Sequence, residues 1–368
     1  MAAQITNYQC PNCGGPLQFV GESGQLECHH CDTDFEVEVI EQLYADKEQA
    51  AAAAGTEPQW DLSMAGGDWS EEEASRLRGY TCPSCAAAII CDDTTAATSC
   101  PYCGNPTVVP GQFTGMLRPD YVIPFKLDKN AAVAALKKYY KGKKFLPKTF
   151  AAENHLEEVK GIYVPFWLFD GDSDAYMRFH ATKVHKHTKG DYEITETEHY
   201  RVVREGSVTF EKVPVDASTK MPDEHMDAIE PFEYADLKTF SSAYLPGFLA
   251  DKYDVDAETC GQRANERIKA STEDVFASTT TGYTTLKREY SDIKLKKGNV
   301  KYALMPVWML STKWSGKDFL FAMNGQTGKL IGDLPVDSGK YWGWFAGISL
   351  SLMAVFGAVL FLLLGGII

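Results

Sequence analysis

Basic side chains are missing where a nucleic-acid reader would need them: residues 1–46 and 79–117 contain neither Lys nor Arg. Phosphate neutralisation requires such charges, so nucleic acid is not an expected partner of these stretches. The whole 368-residue chain has a formal net charge of −14, which also disfavours non-specific nucleic-acid binding. The start, MAAQITNYQC, lacks the basic residues and apolar stretch of a secretory signal. There is no G-x-S-x-G, H-E-x-x-H or Walker A motif, and no other catalytic constellation stands out, so an enzyme is not expected. Charge of either sign is absent from residues 341–368.

That last absence predicts a membrane anchor. Residues 345–364 form a twenty-residue apolar run, and a helix of that length spans a hydrocarbon core of roughly 30 Å. Twelve of the twenty are Leu, Ile, Phe or Val, which favours insertion by roughly −4 to −7 kcal/mol before small-residue corrections. Tyr341, Trp342 and Trp344 precede the run at headgroup level. The span is placed at 341–365, with the bulk of the chain on the cytoplasmic side of the cell membrane. Gly343, Gly347, Ser351, Ala354 and Ala358 line small residues along one helix face, a pattern that permits homo-oligomers through close helix packing.

Ten cysteines are present, and eight of them form four Cys-x2-Cys pairs. Cys10 and Cys13 are followed by Cys28 and Cys31; Cys82 and Cys85 by Cys100 and Cys103, with fourteen residues inside each set. Equal spacing suggests a duplicated unit. Two such knuckles complete a tetrahedral four-sulfur site, closed and structural, with no open position for water. Two Zn(2+) ions, one per site, are expected, although ligand type alone does not exclude iron. Pieces of this size bury too little core to fold without the metal. Gly14 and Gly104 stand where the chain turns back. Phe35, Val37 and Val39 alternate with Glu36 and Glu38, as in a strand. His29 and His30 read as solvated neighbours, and Cys91 and Cys260 as small buried residues.

The expected organisation is α+β. Two small β zinc ribbons at 1–44 and 80–109 flank an acidic flexible linker at 45–79. A mostly antiparallel body at 110–336 and the single C-terminal helix follow. Trp60 and Trp69 lie in the linker, free to dock on a partner or fold back. Within the body, 121–127 reads as a strand, and Asp128 caps an amphipathic helix to about Tyr140. Residues 161–215 read as a meander of short strands, and 256–278 as a helix. Pro165-Phe-Trp167 and Pro306-Val-Trp308 hint at a weak internal duplication.

Several apparent sites dissolve. Asp170, Asp172 and Asp174 start like a calcium loop, but its Gly and Glu places are Ala175 and Ala181, so a hairpin turn is expected. Asn324–Lys329, NGQTGK, lacks the spacing of a phosphate loop. His185 and His187 share a strand face with His180 or His199 nearby, and read as solvated. Lys137, Lys138, Lys141, Lys143, Lys144 and Lys148 form the one concentrated basic patch. It is either a solvated helix end or a membrane-surface patch, at about 1 kcal/mol per near-surface Lys.

The segments CPNCGGPLQF, TAATSCPYCGNPTVVPGQFTGMLRPDYVIPF, GIYVPFWLFDG, AYLPGFLADKYDVDA and FAMNGQTGKLIGDLP resemble a family of bacterial membrane proteins with transcription-factor-IIB-type zinc ribbons. Its members are often labelled as similar to the PriA helicase; no helicase motor is present here. The resemblance implies a recruiting role beside flotillin-like SPFH scaffolds or phage-shock-protein-A-like partners in membrane stress. It carries over no catalytic residues. The expected function is a membrane-tethered adaptor presenting protein-binding surfaces, with a nucleic-acid-binding or transcription-linked protein as the alternative.

Overall fold

The computed structural model describes residues 10–43, 60–111 and 116–365, apart from Gly14, Glu22, Ala96, Thr98, Thr107, Asn154 and His155. The architecture is mixed α and β with mostly sheet, in two compact units, Met1–Gln59 and Trp60–Ile368.

In the first unit β1 (Gln18–Val20), β2 (Gln25–Cys28) and β3 (Thr33–Phe35) form an antiparallel sheet in that order. The strand expected to continue through Val39 stops at Phe35, and residues 37–43 are helical. The Ile40 N–H donates to the Glu36 carbonyl at 3.3 Å, which buries Ile40 and leaves Val39 exposed. Five residues of alternation fit either period, and the apolar Ile40 decides for the helix.

The second unit is built on one sheet of twelve strands. Its spine is β8 (Lys160–Lys189), which pairs with β9 (Tyr192–Asp216) as a hairpin turning at Gly190. The other strands are β4 (Leu77–Thr81), β5 (Ala88–Asp92), β6 (Val109–Gly111), β7 (Tyr121–Val122), β10 (Lys238–Thr239), β11 (Leu249–Asp251), β12 (Thr285–Leu295), β13 (Asn299–Trp314), β14 (Lys317–Asn324) and β15 (Leu330–Gly332). The main path runs β10-β7-β13-β8-β11-β5-β4-β6.

The expected meander is thus two strands of 30 and 25 residues. Gly171 and Gly206 lie mid-strand. Asp170, Asp172 and Asp174 are likewise in β8 and not in a turn. The Asp170 carboxylate accepts from the Lys212 N–H, Asp172 from the Thr209 hydroxyl and Asp174 from the Ser207 hydroxyl, stitching β8 to β9. The strand foreseen at 121–127 shortens to two residues.

Along β8 the run GIYVPFWLF is buried on both faces, which explains its continuous hydrophobicity. Ile162, Val164, Phe166 and Leu168 join one core with Met305, Val307 and Met309 of β13; Tyr163, Trp167 and Phe169 join another with Tyr302 and Leu304. The two Pro-x-Trp motifs fall on these neighbouring antiparallel strands, Pro165 opposite Leu304 and Pro306 opposite Tyr163.

Three helices follow their capping signals. In α1 (Glu71–Ser75), Ser70 accepts from the Glu73 N–H. In α2 (Lys129–Tyr140), Asp128 accepts from the Ala131 N–H at 2.8 Å, and Ala132, Leu136 and Tyr140 are buried. Two short helices, α3 (Lys148–Glu153) and α4 (Asp223–Ala228), precede α5 (Ala257–Ser278), where Asp256 accepts from the Thr259 N–H at 2.8 Å. Last comes α6 (Ser338–Gly365).

The flexible linker expected at 45–79 needs correcting. Residues 45–59 lie outside those described, but 60–79 pack on the body. The Trp60 indole donates to Asn265 Oδ1 at 3.1 Å and meets Phe169 edge-on at 5.0 Å. Its slot exists because Gly171, Gly261 and Gly298 carry no Cβ; one added there would lie 3.1, 2.9 and 2.5 Å from ring atoms. Trp69 donates to the Met116 carbonyl at 3.1 Å and packs on Phe240. Two half-buried, hydrogen-bonded indoles outweigh the Gly, Pro and acid composition around them.

Candidate metal centres

Among the described residues, three of the Cys-x2-Cys pairs are held by one local device. The N–H of the residue after the second Cys donates back to the first Cys carbonyl: Asp32 to Cys28 at 2.9 Å, Ala86 to Cys82 at 2.9 Å, Gly104 to Cys100 at 3.1 Å. All three of these residues have positive φ, at 49°, 57° and 67°. Gly104 meets that need without strain, whereas Asp32 and Ala86 are held there as non-glycine residues. A second bond closes three of the loops, as the first Cys N–H donates five residues on: Cys10 to Gly15, Cys82 to Ala87 and Cys100 to Asn105. Gly14, the fourth counterpart, lies outside the described residues.

The pairs meet in the sets that the spacing implies. Cys10, Cys13, Cys28 and Cys31 form one cluster and Cys82, Cys85, Cys100 and Cys103 the other, with the sulfurs of each set within 4.8 Å of one another. In the first, Cys10 lies 3.6 Å from Cys31 and Cys13 lies 3.3 Å from Cys28. In the second, Cys82–Cys103 and Cys85–Cys100 are both 3.6 Å apart. A tetrahedral site with metal–sulfur bonds near 2.3 Å has sulfur–sulfur edges of about 3.8 Å, so both clusters fit a metal ion of this kind. Among the described residues, these are the only groups of three or more metal-type side chains gathered closely enough.

In each site one thiol, Cys28 or Cys82, favours the thiolate, while Cys13, Cys85 and Cys100 are pushed the other way. Burial opposes ionisation of Cys28, but the His30 and Cys31 N–H groups and the Cys13 thiol hold it down at about 6. Burial likewise opposes ionisation of Cys82, and the Cys85 and Ser84 N–H groups bring it to about 7. Cys100 is pushed up, first by burial and then by its neighbour Cys85. A divalent cation reverses that mutual repulsion by binding all four sulfurs. A bound ion would supply structural cross-linking here, and four sulfurs leave no place for a reacting water.

The two clusters have different settings. The first closes a three-stranded sheet in its own unit. The second is continuous with the body: β5 pairs with β4 on one side and with β11 on the other, and β11 pairs with β8. Cys82 and Cys100 are buried in one core with Ile89, Ile162 and Phe166. The Lys160 ammonium donates to the Ser99 carbonyl at 2.8 Å, next to Cys100. The separate ribbon expected at 80–109 is therefore an edge of the body's sheet, because β5 finds its hydrogen-bond partner there.

Comparison with known proteins adds one full-length relative. The chain is 36% identical over 346 residues to the uncharacterized protein YdjG of Bacillus subtilis (strain 168), a match covering 94% of each chain. It belongs to the YdjG family. No family model and no solved structure matches. The match to YdjG spans nearly the whole length, so the kinship is not confined to a cysteine knuckle or to the sheet.

Other sequence candidates stay apart. His180 and His199 meet at 3.0 Å, and His185 sits 3.7 Å from Glu198, on the exposed part of the β8–β9 hairpin; His187 is exposed. The NGQTGK segment is a turn, with Asn324 buried and its amide donating to the Ile229 carbonyl at 3.0 Å. Cys91 donates to the Thr95 carbonyl at 2.9 Å, and Cys91 and Cys260 are both buried. The Ser338–Leu360 part of α6 is long and apolar enough to cross a membrane, with none of its apolar window buried in the protein. Gly343 and Gly347 have open space beside them, and the Ser351 hydroxyl donates to the Gly347 carbonyl at 2.8 Å.

One buried group near the second cluster has no sequence signature. Asp251, in β11, is 1% exposed and accepts from the Ser218 hydroxyl at 2.6 Å. Burial pushes its carboxyl up to about 7, against the hydrogen bond from Ser218 and aided by Asp254. The neutral form is favoured in the fold, so the carboxyl's favourable contribution is complete below about pH 4 and falls as pH rises towards 7. Between pH 6 and 8 the loss is on the order of 1 kcal/mol. Asp251→Asn is expected to flatten this slope in urea midpoints of the metal-loaded protein measured at pH 6 and 8. An unchanged slope would refute the assignment.

Proposed function

We propose that the chain is a membrane-tethered zinc-ribbon adaptor. In this reading Zn(2+) fills both four-cysteine sites, α6 anchors the chain in the cell membrane with the bulk cytoplasmic, and the folded units present surfaces to partner proteins. The observation that carries it is the closed donor set: four sulfurs within 4.8 Å at each site serve structure, not turnover. The first unit supports protein rather than nucleic-acid contact, since Asp32, Asp34, Glu36, Glu38 and Glu41 are all exposed in a stretch without Lys or Arg. Flotillin-like SPFH scaffolds and phage-shock-protein-A-like proteins are the partner classes that the sequence resemblance implies.

The test is affinity purification of the tagged full chain from detergent-solubilised membranes, with and without a zinc chelator. The expected result is a small set of enriched proteins that are lost when zinc is stripped. No enrichment, or enrichment indifferent to zinc, would defeat the adaptor reading.

A further inference from the structure

The six-lysine patch and the start of α6 are far apart in sequence but lie together in the fold. The loop after α2 is fastened to the helix by four contacts. The Asp337 N–H donates to the Phe145 carbonyl at 2.8 Å, and the Lys340 ammonium to the Leu146 carbonyl at 2.9 Å. Phe145 meets Tyr341 edge-on at 5.9 Å, and the Lys144 ammonium lies 4.9 Å from the centre of the Trp344 ring. Trp344 is the last residue before the apolar run, so Lys144 stands level with the point where that run begins.

The patch is also free to act. Lys137, Lys138, Lys141, Lys143, Lys144 and Lys148 are all exposed, and among the described residues none of them forms an ion pair with a carboxylate. The acid nearest in sequence to α6, Asp337, is engaged by the backbone and side chain of Lys340. Lys143 and Lys144 rest on the rings of Tyr139 and Trp344, which steadies their ammonium groups without neutralising them. In a protein of net charge −14, this concentration of unpaired cations at one end of an apolar helix needs a counterpart.

We infer that this surface docks on anionic lipid headgroups around the base of α6. The inference rests on the reading of α6 as a membrane helix. If Trp344 sits at headgroup level, Lys144 is held at the depth of lipid phosphates, with Lys141, Lys143 and Lys148 beside it. The second unit is then pressed against the bilayer by charge as well as tethered to it. An anionic leaflet would hold it closer than a zwitterionic one.

The test places the full chain in vesicles of phosphatidylcholine alone and in vesicles with about a third phosphatidylglycerol. Two quantities are measured: retention in the bilayer after alkaline carbonate washing, and the acetylation rate of each lysine by mass spectrometry. Retention in both vesicle types is expected. Lys141, Lys143, Lys144 and Lys148 should acetylate several-fold more slowly on anionic vesicles, while Lys189 at the far end of β8 keeps its rate. The difference should vanish near 1 M salt, where the screening length is about 3 Å. Retained protein with equal lysine rates on both vesicles overturns the lipid surface alone. Protein washed from both overturns the membrane helix, and the lipid surface with it. Protection by duplex DNA instead of anionic vesicles assigns the patch to nucleic acid and also overturns it.

Discussion

Replacing Cys100 by Ser is expected to unfold most of the second unit, whereas Cys28→Ser is expected to leave that unit's unfolding midpoint unchanged. A structural zinc site contributes on the order of 10 kcal/mol to the fold that holds it, comparable with the whole stability of a domain. A hydroxyl does not replace a thiolate ligand, and three remaining sulfurs bind the ion far more weakly. The second site matters to the body because Cys100 is 2% exposed in the same core as Ile162 and Phe166, and because β5 is hydrogen-bonded through β11 to β8. The first site closes only β1 to β3 in a separate unit. Cys91→Ala provides the control. It empties a similar volume in the same core without touching a ligand, and should cost about 1–2 kcal/mol. Urea unfolding of the full chain in detergent, followed by circular dichroism, separates the three variants. Equal losses from Cys100→Ser and Cys91→Ala would mean that the second cluster holds no metal.

The other large effect concerns α6. Met353→Arg with Phe356→Arg is expected to move the chain from the membrane fraction to the soluble fraction. Both positions lie near the middle of the apolar run, and both are exposed, at 68% and 70%, so neither supports packing within the chain. Each arginine at a helix centre costs roughly 2.5–3.5 kcal/mol on insertion scales. Two of them cancel the roughly −4 to −7 kcal/mol that the apolar residues supply. Fractionation of cells expressing the double variant reads the result. Continued retention in washed membranes would show that something other than insertion of α6 holds the chain there.

The cysteine clusters were legible because spacing alone brings the right sulfurs together; a Cys-x2-Cys turn is a local object. Caps were legible for the same reason, as Asp128 and Asp256 show. The long hairpin was not. Gly171 and Gly206 have the composition of turns, and only the placement of Trp60, some 100 residues away in sequence, explains why Gly171 belongs in a strand. Trp60 itself was ambiguous, since a tryptophan among acids and glycines signals burial without naming its slot. The union of the second ribbon with the body was hidden too: β5 and β11 pair across about 160 residues, and strands of five and three residues carry little periodicity. The left-handed backbone at Asp32 and Ala86 follows from equivalence with Gly104, once the knuckles are laid over one another.

The most direct measurement is the metal content of full-length protein purified from membranes without added zinc. Elemental analysis should find two zinc ions per chain. Titration with a mercurial should release both as eight thiols react, while Cys91 and Cys260 react only after unfolding. One metal or none per chain, or iron in place of zinc, would contradict the two closed zinc sites on which this reading of the protein stands.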